Sequence, residues 1–264
     1  MRLVSWESGF GRVEGDEVVP LGDDLLAWLE TGEEHEGAPV PLASLALAAP
    51  IARPGKIVCV GRNYRAHAAE REVEAPSEPI FFAKFANSIV GPDATVPLLR
   101  VSDEIDWEAE LVAVIGRRAF RVPQERALEH VAGYTCGNDL TARDLQKRGG
   151  QWTRGKAVDG FLPLGPALVT ADEVGDPQAL RISCALNGEI VQDASTAEMI
   201  FPVAELVATL SETMTLEPGD LIATGTPAGI GAARTPPRFL RPGDELVVEV
   251  ERVGALRTTM GPPL

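Results

Sequence analysis

Residues 106–116 read DWEAELVAVIG, three carboxylates and a tryptophan ahead of a mostly apolar run. In an extended segment side chains alternate between faces, so Glu108 and Glu110 share one face while Trp107, Ala109 and Leu111 share the other. Two like charges roughly 7 Å apart on one face repel each other. On a solvated strand face that repulsion is tolerable. Beside LVAVIG, which looks buried, it calls for a cation or a basic side chain, because an unpaired buried carboxylate is strongly destabilising. Asp106 falls on the same face, and both a supporting role and simple solvation are open for it.

A third carboxylate comes from CGNDLTARDLQ, where Asp139 follows the apolar run VAGYTC and precedes a helix-like stretch. It either caps that helix or joins the two glutamates. Two Glu and one Asp, with no His or Cys nearby, form an all-oxygen donor set suited to a hard divalent ion, Mg²⁺ or else Mn²⁺ or Ca²⁺, rather than zinc. Three protein ligands leave positions for water and a chelating substrate. Lys156 in WTRGKAVDG is either a surface loop lysine or a cation placed where negative charge develops. His67 and Glu70 in NYRAHAAE stand at i and i+3, neighbours on a helical face; they form an exposed pair or an imidazole oriented by a carboxylate. Arg143 and Gln146 share a face of the stretch beginning at Asp139, and pairing of Arg143 with Asp144 or Asp139 is the structural alternative. TGTPAGIG, residues 224–231, lacks the G-K-[ST] ending of a P-loop, so a nucleotide site is not indicated. Its backbone and the hydroxyls of Thr224 and Thr226 can donate to a carboxylate or an oxyanion.

The elements that must position these residues are mostly strands. Apolar runs predict strands at 56–60, 80–84, 107–115, 132–138, 164–169, 180–187, 220–224 and 245–251. Asn187-Gly188 suits a tight hairpin, and Pro218-Gly219-Asp220 and Pro242-Gly243-Asp244 each set a turn before an apolar run. Helical patterns are fewer: a short one in DDLLAWLETG, then 123–131, 138–147 and 198–213, with Pro202 in the first turn of the last. Residues 1 to about 50 hold a hairpin signal, the short helix and a Pro- and Ala-rich passage that reads as a linker onto a larger body.

Composition narrows the class. The chain has 264 residues, 45% of them hydrophobic, enough for a full core. With 24 basic and 39 acidic residues its formal charge is −15, which repels phosphate backbones and anionic lipid, so neither nucleic acid nor a membrane surface is an expected partner. No window approaches a membrane span and the N-terminal residues lack a signal-peptide core, which predicts a soluble cytoplasmic protein. Cys59, Cys136 and Cys184 are far apart, odd in number and set in apolar runs, so they read as buried structural thiols.

Six blocks in order, GRNYRAHAAE, PIFFAKFANSIVGP, DWEAEL, GYTCGNDLTARDLQ, WTRGKAVDGFLPLGP and GDLIATGTPAGIG, resemble the fumarylacetoacetate hydrolase family over most of residues 56–231. The resemblance implies a β-rich α+β fold, a mixed β-sandwich roll with short covering helices, with a small N-terminal domain over 1–50 and a catalytic domain over 51–264. It implies a homodimer, and a divalent ion held by Glu108, Glu110 and Asp139. Lys156 matches the family's active-site lysine, and His67 and Glu70 match the pair that activates water in its hydrolytic members. Arg143, Gln146, Lys84, Gly225 and Thr226 match residues around the substrate, with Arg62 and Asn63 in the same blocks. The family's longer hydrolases have a fourth carboxylate ligand that has no evident counterpart in this sequence. The substrate implied is a small 2-oxo or 2-hydroxy-dienoic acid that chelates the ion and passes through an enolate. The layout is most similar to the 2-hydroxyhepta-2,4-diene-1,7-dioate isomerases, with acylpyruvate hydrolase or oxaloacetate decarboxylase as alternatives. A non-catalytic metal-binding module is the alternative of another class; loss of Lys156 or of one Glu would favour it, and all are present.

Overall fold

Branched apolar side chains pack well on a pleated surface, and the runs rich in them form strands. The computed structural model of the protein describes residues 1–70 and 74–264. Among these, a sheet of twelve strands packs against one of five, with a two-stranded ladder beside them. Strand Ala109–Ile115 lies within the large sheet, antiparallel to Val131–Asn138 on one side and to Leu221–Ala223 on the other. Leu221–Ala223 runs parallel to Ile57–Gly61, and Ile80–Lys84 closes that edge. In the other direction Val131–Asn138 pairs with Leu162–Thr170, which pairs with Arg2–Trp6, so the N-terminal hairpins extend the same sheet.

The alternation expected of residues 107–115 divides two cores. Trp107, Ala109, Leu111, Ala113 and Ile115 enter the larger one, shared with Ile182, Cys184, Val248 and Val250 of the five-stranded sheet and with helix Val203–Thr213. Val112 and Val114 enter the other, with Ile57, Cys59, Leu162 and Leu164 and with Leu25 of helix Leu25–Thr31. Glu108 and Glu110 continue the second row, so a single strand carries core on both faces and carboxylates at one end. The three cysteines are free and buried, and no described helix is long and apolar enough to cross a membrane.

Each predicted strand is present within one or two residues, and Asn187 and Gly188 take the positive φ values of 53° and 83° that the hairpin requires. The helices differ more. Asp139 opens no helix: Thr141–Ala142 first pairs with Ile105–Asp106, and only Arg143–Gln146 is helical. Gln124–His130 is a 3₁₀ helix. Pro202 is the N-cap of Val203–Thr213 rather than part of its first turn, a position where a missing N–H does no harm. Strand Gly254–Gly261, antiparallel to Glu245–Val250, went unpredicted because its mixed polar pattern carries no strand signal.

Candidate active site and metal centre

The strand register builds the carboxylate cluster. Ala109 stands opposite Asn138, and the Asp139 N–H donates to the Glu108 carbonyl at 2.9 Å. Glu108, Glu110 and Asp139 thereby converge: all are buried, and one ligand atom from each lies within 4.8 Å of the others. The Asn138 side-chain oxygen accepts the Glu108 N–H at 3.0 Å, which fixes the backbone at the first glutamate.

Two lysines and an arginine reach into this cluster. Lys84 Nζ lies 2.6 Å from Asp139 Oδ1 and also donates to the Leu140 carbonyl. Lys156 Nζ lies 2.7 Å from Glu108 Oε2 and 2.6 Å from Asp139 Oδ2, and Arg143 Nη1 lies 2.7 Å from Glu108 Oε1. Burial alone would raise the Glu108 carboxyl, but the charges of Lys156 and Arg143 outweigh it and hold the pKa at about 2. Burial alone would lower the Lys156 ammonium, and Asp139 and Glu108 raise it instead, so it stays charged.

Glu110 is the exception. Among the described residues its one hydrogen bond comes from the Gly225 N–H at 2.9 Å, and burial followed by repulsion from Asp139 and Glu108 pushes its carboxyl well above the usual range. With Asp106, the cluster holds, among the described residues, four buried carboxylates against three buried cations, Lys84, Lys156 and Arg143. The positive charge in deficit is the one beside Glu110. An all-oxygen donor set with an uncompensated carboxylate fits a hard divalent ion, as the sequence led us to expect.

Asp106 is neither solvated nor beside Glu110. Fully buried, it accepts from the N–H groups of Trp107, Gly231 and Ala232 at 2.9, 2.7 and 3.1 Å, and from Arg143 Nε at 2.8 Å. It therefore orients Arg143 and anchors the end of the Gly-rich loop. Asp106→Asn leaves the guanidinium short of a countercharge and turns donors toward donors. We expect it to cost roughly 3–5 kcal/mol of stability in urea unfolding; an unchanged midpoint would contradict that role.

A cavity of about 160 Å³ reaches Glu108 and is lined by Arg62, His67, Arg143, Gln146, Lys156 and Thr226, with Lys147 and Trp152 completing its wall. His67 and Glu70 lie on helix Arg65–Glu70 with Nδ1 2.7 Å from Oε1. Glu70 also accepts the Gly229 N–H at 2.9 Å, tying this helix to the Gly-rich loop. Lys84 and Gly225 hold Asp139 and Glu110 and do not line the cavity. Asn63 fastens loops: its amide bonds Phe201 and the Thr224 carbonyl. Lys147, Trp152 and Gln192 carry no local sequence signal of their place at the site. Trp152 packs edge-on to Phe82 at 5.2 Å. Gln192, buried on strand Glu189–Ser195, looks like any polar residue of an alternating hairpin.

A charged cavity over a buried carboxylate triad on a β-sandwich roll is the frame of a small-molecule enzyme. The family model described as fumarylacetoacetate (FAA) hydrolase C-terminal matches residues 56–260, and the chain belongs to that family of enzymes. Bovine mitochondrial oxaloacetate tautomerase FAHD2A is 48% identical over 242 residues, covering 91% of this chain and 77% of the relative. A solved fumarylacetoacetate hydrolase from Exiguobacterium antarcticum is 36% identical with a TM-score of 0.89 over 99% of each chain. The 2-hydroxyhepta-2,4-diene-1,7-dioate isomerase from Mycobacterium marinum is 35% identical with a TM-score of 0.85, over 99% of this chain and 98% of that one. Because the bovine relative is mitochondrial by name, the expectation of a cytoplasmic compartment gains no support from it.

Proposed function

We propose that the protein interconverts the keto and enol forms of oxaloacetate. The observation that carries the substrate is the 48% identity to an oxaloacetate tautomerase, against 35% to a dienedioate isomerase. Oxaloacetate, read from the sequence only as an alternative and as a substrate for decarboxylation, thus displaces the seven-carbon dienedioate. The cavity supports a compact dianion: about 160 Å³ is well below the roughly 300–1,000 Å³ of pockets for drug-sized ligands, and Arg62, Lys147 and a bound divalent ion would supply positive charge beyond Arg143 and Lys156, which already pair with Asp106, Glu108 and Asp139.

The residues present suit a proton transfer between C3 and the C2 oxygen. An ionised Glu70 can only accept, so its contact with His67 places the imidazole proton on Nδ1 and leaves Nε2 as the basic nitrogen. Nε2 takes a proton from C3; the C–H electron pair becomes the C2–C3 double bond, and the carbonyl pair moves onto the C2 oxygen. Lys156 uses two of its three N–H donors on Glu108 and Asp139, leaving one to protonate or hydrogen-bond that oxygen. Glu108, Glu110 and Asp139 would hold a divalent ion, Mg²⁺ foremost, which supplies a Lewis acid for the negative charge on the enolate. As the enol leaves, the imidazolium of His67 gives its proton to water and Lys156 regains one from water, which resets the site; ketonisation runs the same transfers in the opposite order.

The test is the decay of the enol's ultraviolet absorbance in fresh oxaloacetate solutions. The protein is expected to speed it without releasing pyruvate. Stoichiometric pyruvate would make the enzyme a decarboxylase, and no acceleration would remove oxaloacetate as the substrate.

A further inference from the structure

Strand Glu189–Ser195 belongs to the five-stranded sheet, yet it contributes one side chain to the site. Its ladder with Arg181–Leu186 slips between Cys184 and Ala185: Cys184 faces Gln192 while Ala185 faces Ile190, so Val191 is an extra residue. Such a bulge re-aims its neighbours. The Gly-rich loop lies directly on it, since a Cβ on Gly229 would fall 2.1 Å from the Val191 carbonyl oxygen, and Gly229 has a φ of +106°.

Gln192 is 2% exposed and its amide is saturated. Oε1 accepts the N–H of Ala109, the residue between Glu108 and Glu110, at 3.0 Å. Nε2 donates to Thr226 Oγ1 and to the Pro227 carbonyl, each at 2.8 Å. The amide cannot be flipped, because Ala109 N–H only donates and Pro227 C=O only accepts. Thr226 therefore receives a hydrogen bond at its oxygen, and among the described residues its own O–H donates to nothing. Thr226 lines the cavity.

We infer that Gln192 is a positioning residue that biases the Thr226 hydroxyl toward donating and so favours an anionic oxygen of the substrate. The inference rests on the tautomerase reading only for the identity of that substrate. A hydroxyl free to choose could accept from a neutral group as readily as donate to a carboxylate; with one of its two lone pairs held by Gln192 and its O–H unspent, donation to a carboxylate is favoured.

Gln192→Met removes both functions of the amide. Gln192→Glu keeps an acceptor for Ala109 but its carboxylate cannot donate to Thr226 and instead accepts the hydroxyl's hydrogen bond. Both variants, alone and combined with Thr226→Val, are measured for KM and kcat with oxaloacetate, and by calorimetry for oxalate binding to the Mg²⁺-loaded protein and for Mg²⁺ itself. The expected result is a rise of roughly 10- to 100-fold in KM and in the oxalate Kd for each single variant, with kcat changed far less. Adding either Gln192 change to Thr226→Val should have little further effect. Wild-type affinities in Gln192→Glu, effects that add in full to those of Thr226→Val, or an equal loss of Mg²⁺ affinity in Gln192→Met would overturn the inference. If Gln192→Met does not fold, Gln192→Glu carries the test. If wild type leaves oxaloacetate unchanged, the tautomerase reading fails, while the oxalate titrations still decide the role of Gln192.

Discussion

Glu110→Gln protein takes up no Mg²⁺ detectable by calorimetry, yet, stripped of metal, it melts at or above the temperature of metal-free wild type. Both results follow from the same imbalance. Among the described residues, Glu110 is the carboxylate of the cluster that pairs with no cation, and burial, then Asp139 and Glu108, raise its pKa. In metal-free wild type the folded state holds a proton there that the unfolded chain releases. Wild type therefore loses stability as the pH climbs from the ordinary glutamate value of about 4.3 toward the raised one, after which the loss is complete. Glutamine never ionises and escapes that loss. A metal ion competes with the same proton, so wild-type affinity climbs over that window and binding releases a proton, seen as a buffer-dependent heat. The loss of affinity in the variant should exceed the roughly 10- to 100-fold typical of removing a group that merely supports a ligand. Binding as tight as wild type would dismiss Glu110 as a ligand.

Lys156→Met separates the metal centre from the chemistry. The ammonium sits 2.7 Å from Glu108 Oε2 and 2.6 Å from Asp139 Oδ2, so removing it frees two carboxylate oxygens and leaves the cluster more negative. Mg²⁺ affinity is expected to hold or increase. Turnover should fall by about 10²- to 10⁴-fold, the contribution of a positioned proton donor. A parallel loss of metal and activity would instead make Lys156 a structural strut.

Much of this site was legible in the sequence because strand alternation and oxygen-donor chemistry are local. The placing of Glu108 with Glu110 needed only a period of two, and His67 with Glu70 only a helical turn. Asp139 was found for a partly mistaken reason: it opens no helix, and what brings it to Glu108 is the antiparallel register of Ala109 with Asn138. Arg143 lines the cavity, as the resemblance implies, but the pairings with Asp144 or Asp139 that the sequence suggests miss its partner Asp106, 37 positions away in the chain. Gln192 left no trace at all, since a bulge in a second sheet is a property of pairing between strands. Interactions that depend on long-range register are where sequence patterns stop.

The cations around the cavity also bear on how a substrate arrives. Of the cations that line the aperture, Arg62 and Lys147 are not buried, while Arg143 and Lys156 are buried and ion-paired, in a body whose formal charge is −15. Far from the opening, a dianion meets a repulsive shell; within about 10 Å, the screening length in about 0.1 M salt, the local attraction takes over. Salt therefore acts on capture in two opposing directions, thinning the outer barrier before it weakens the inner well. The aperture works as a short-range filter, admitting anions that reach the mouth and offering little long-range steering.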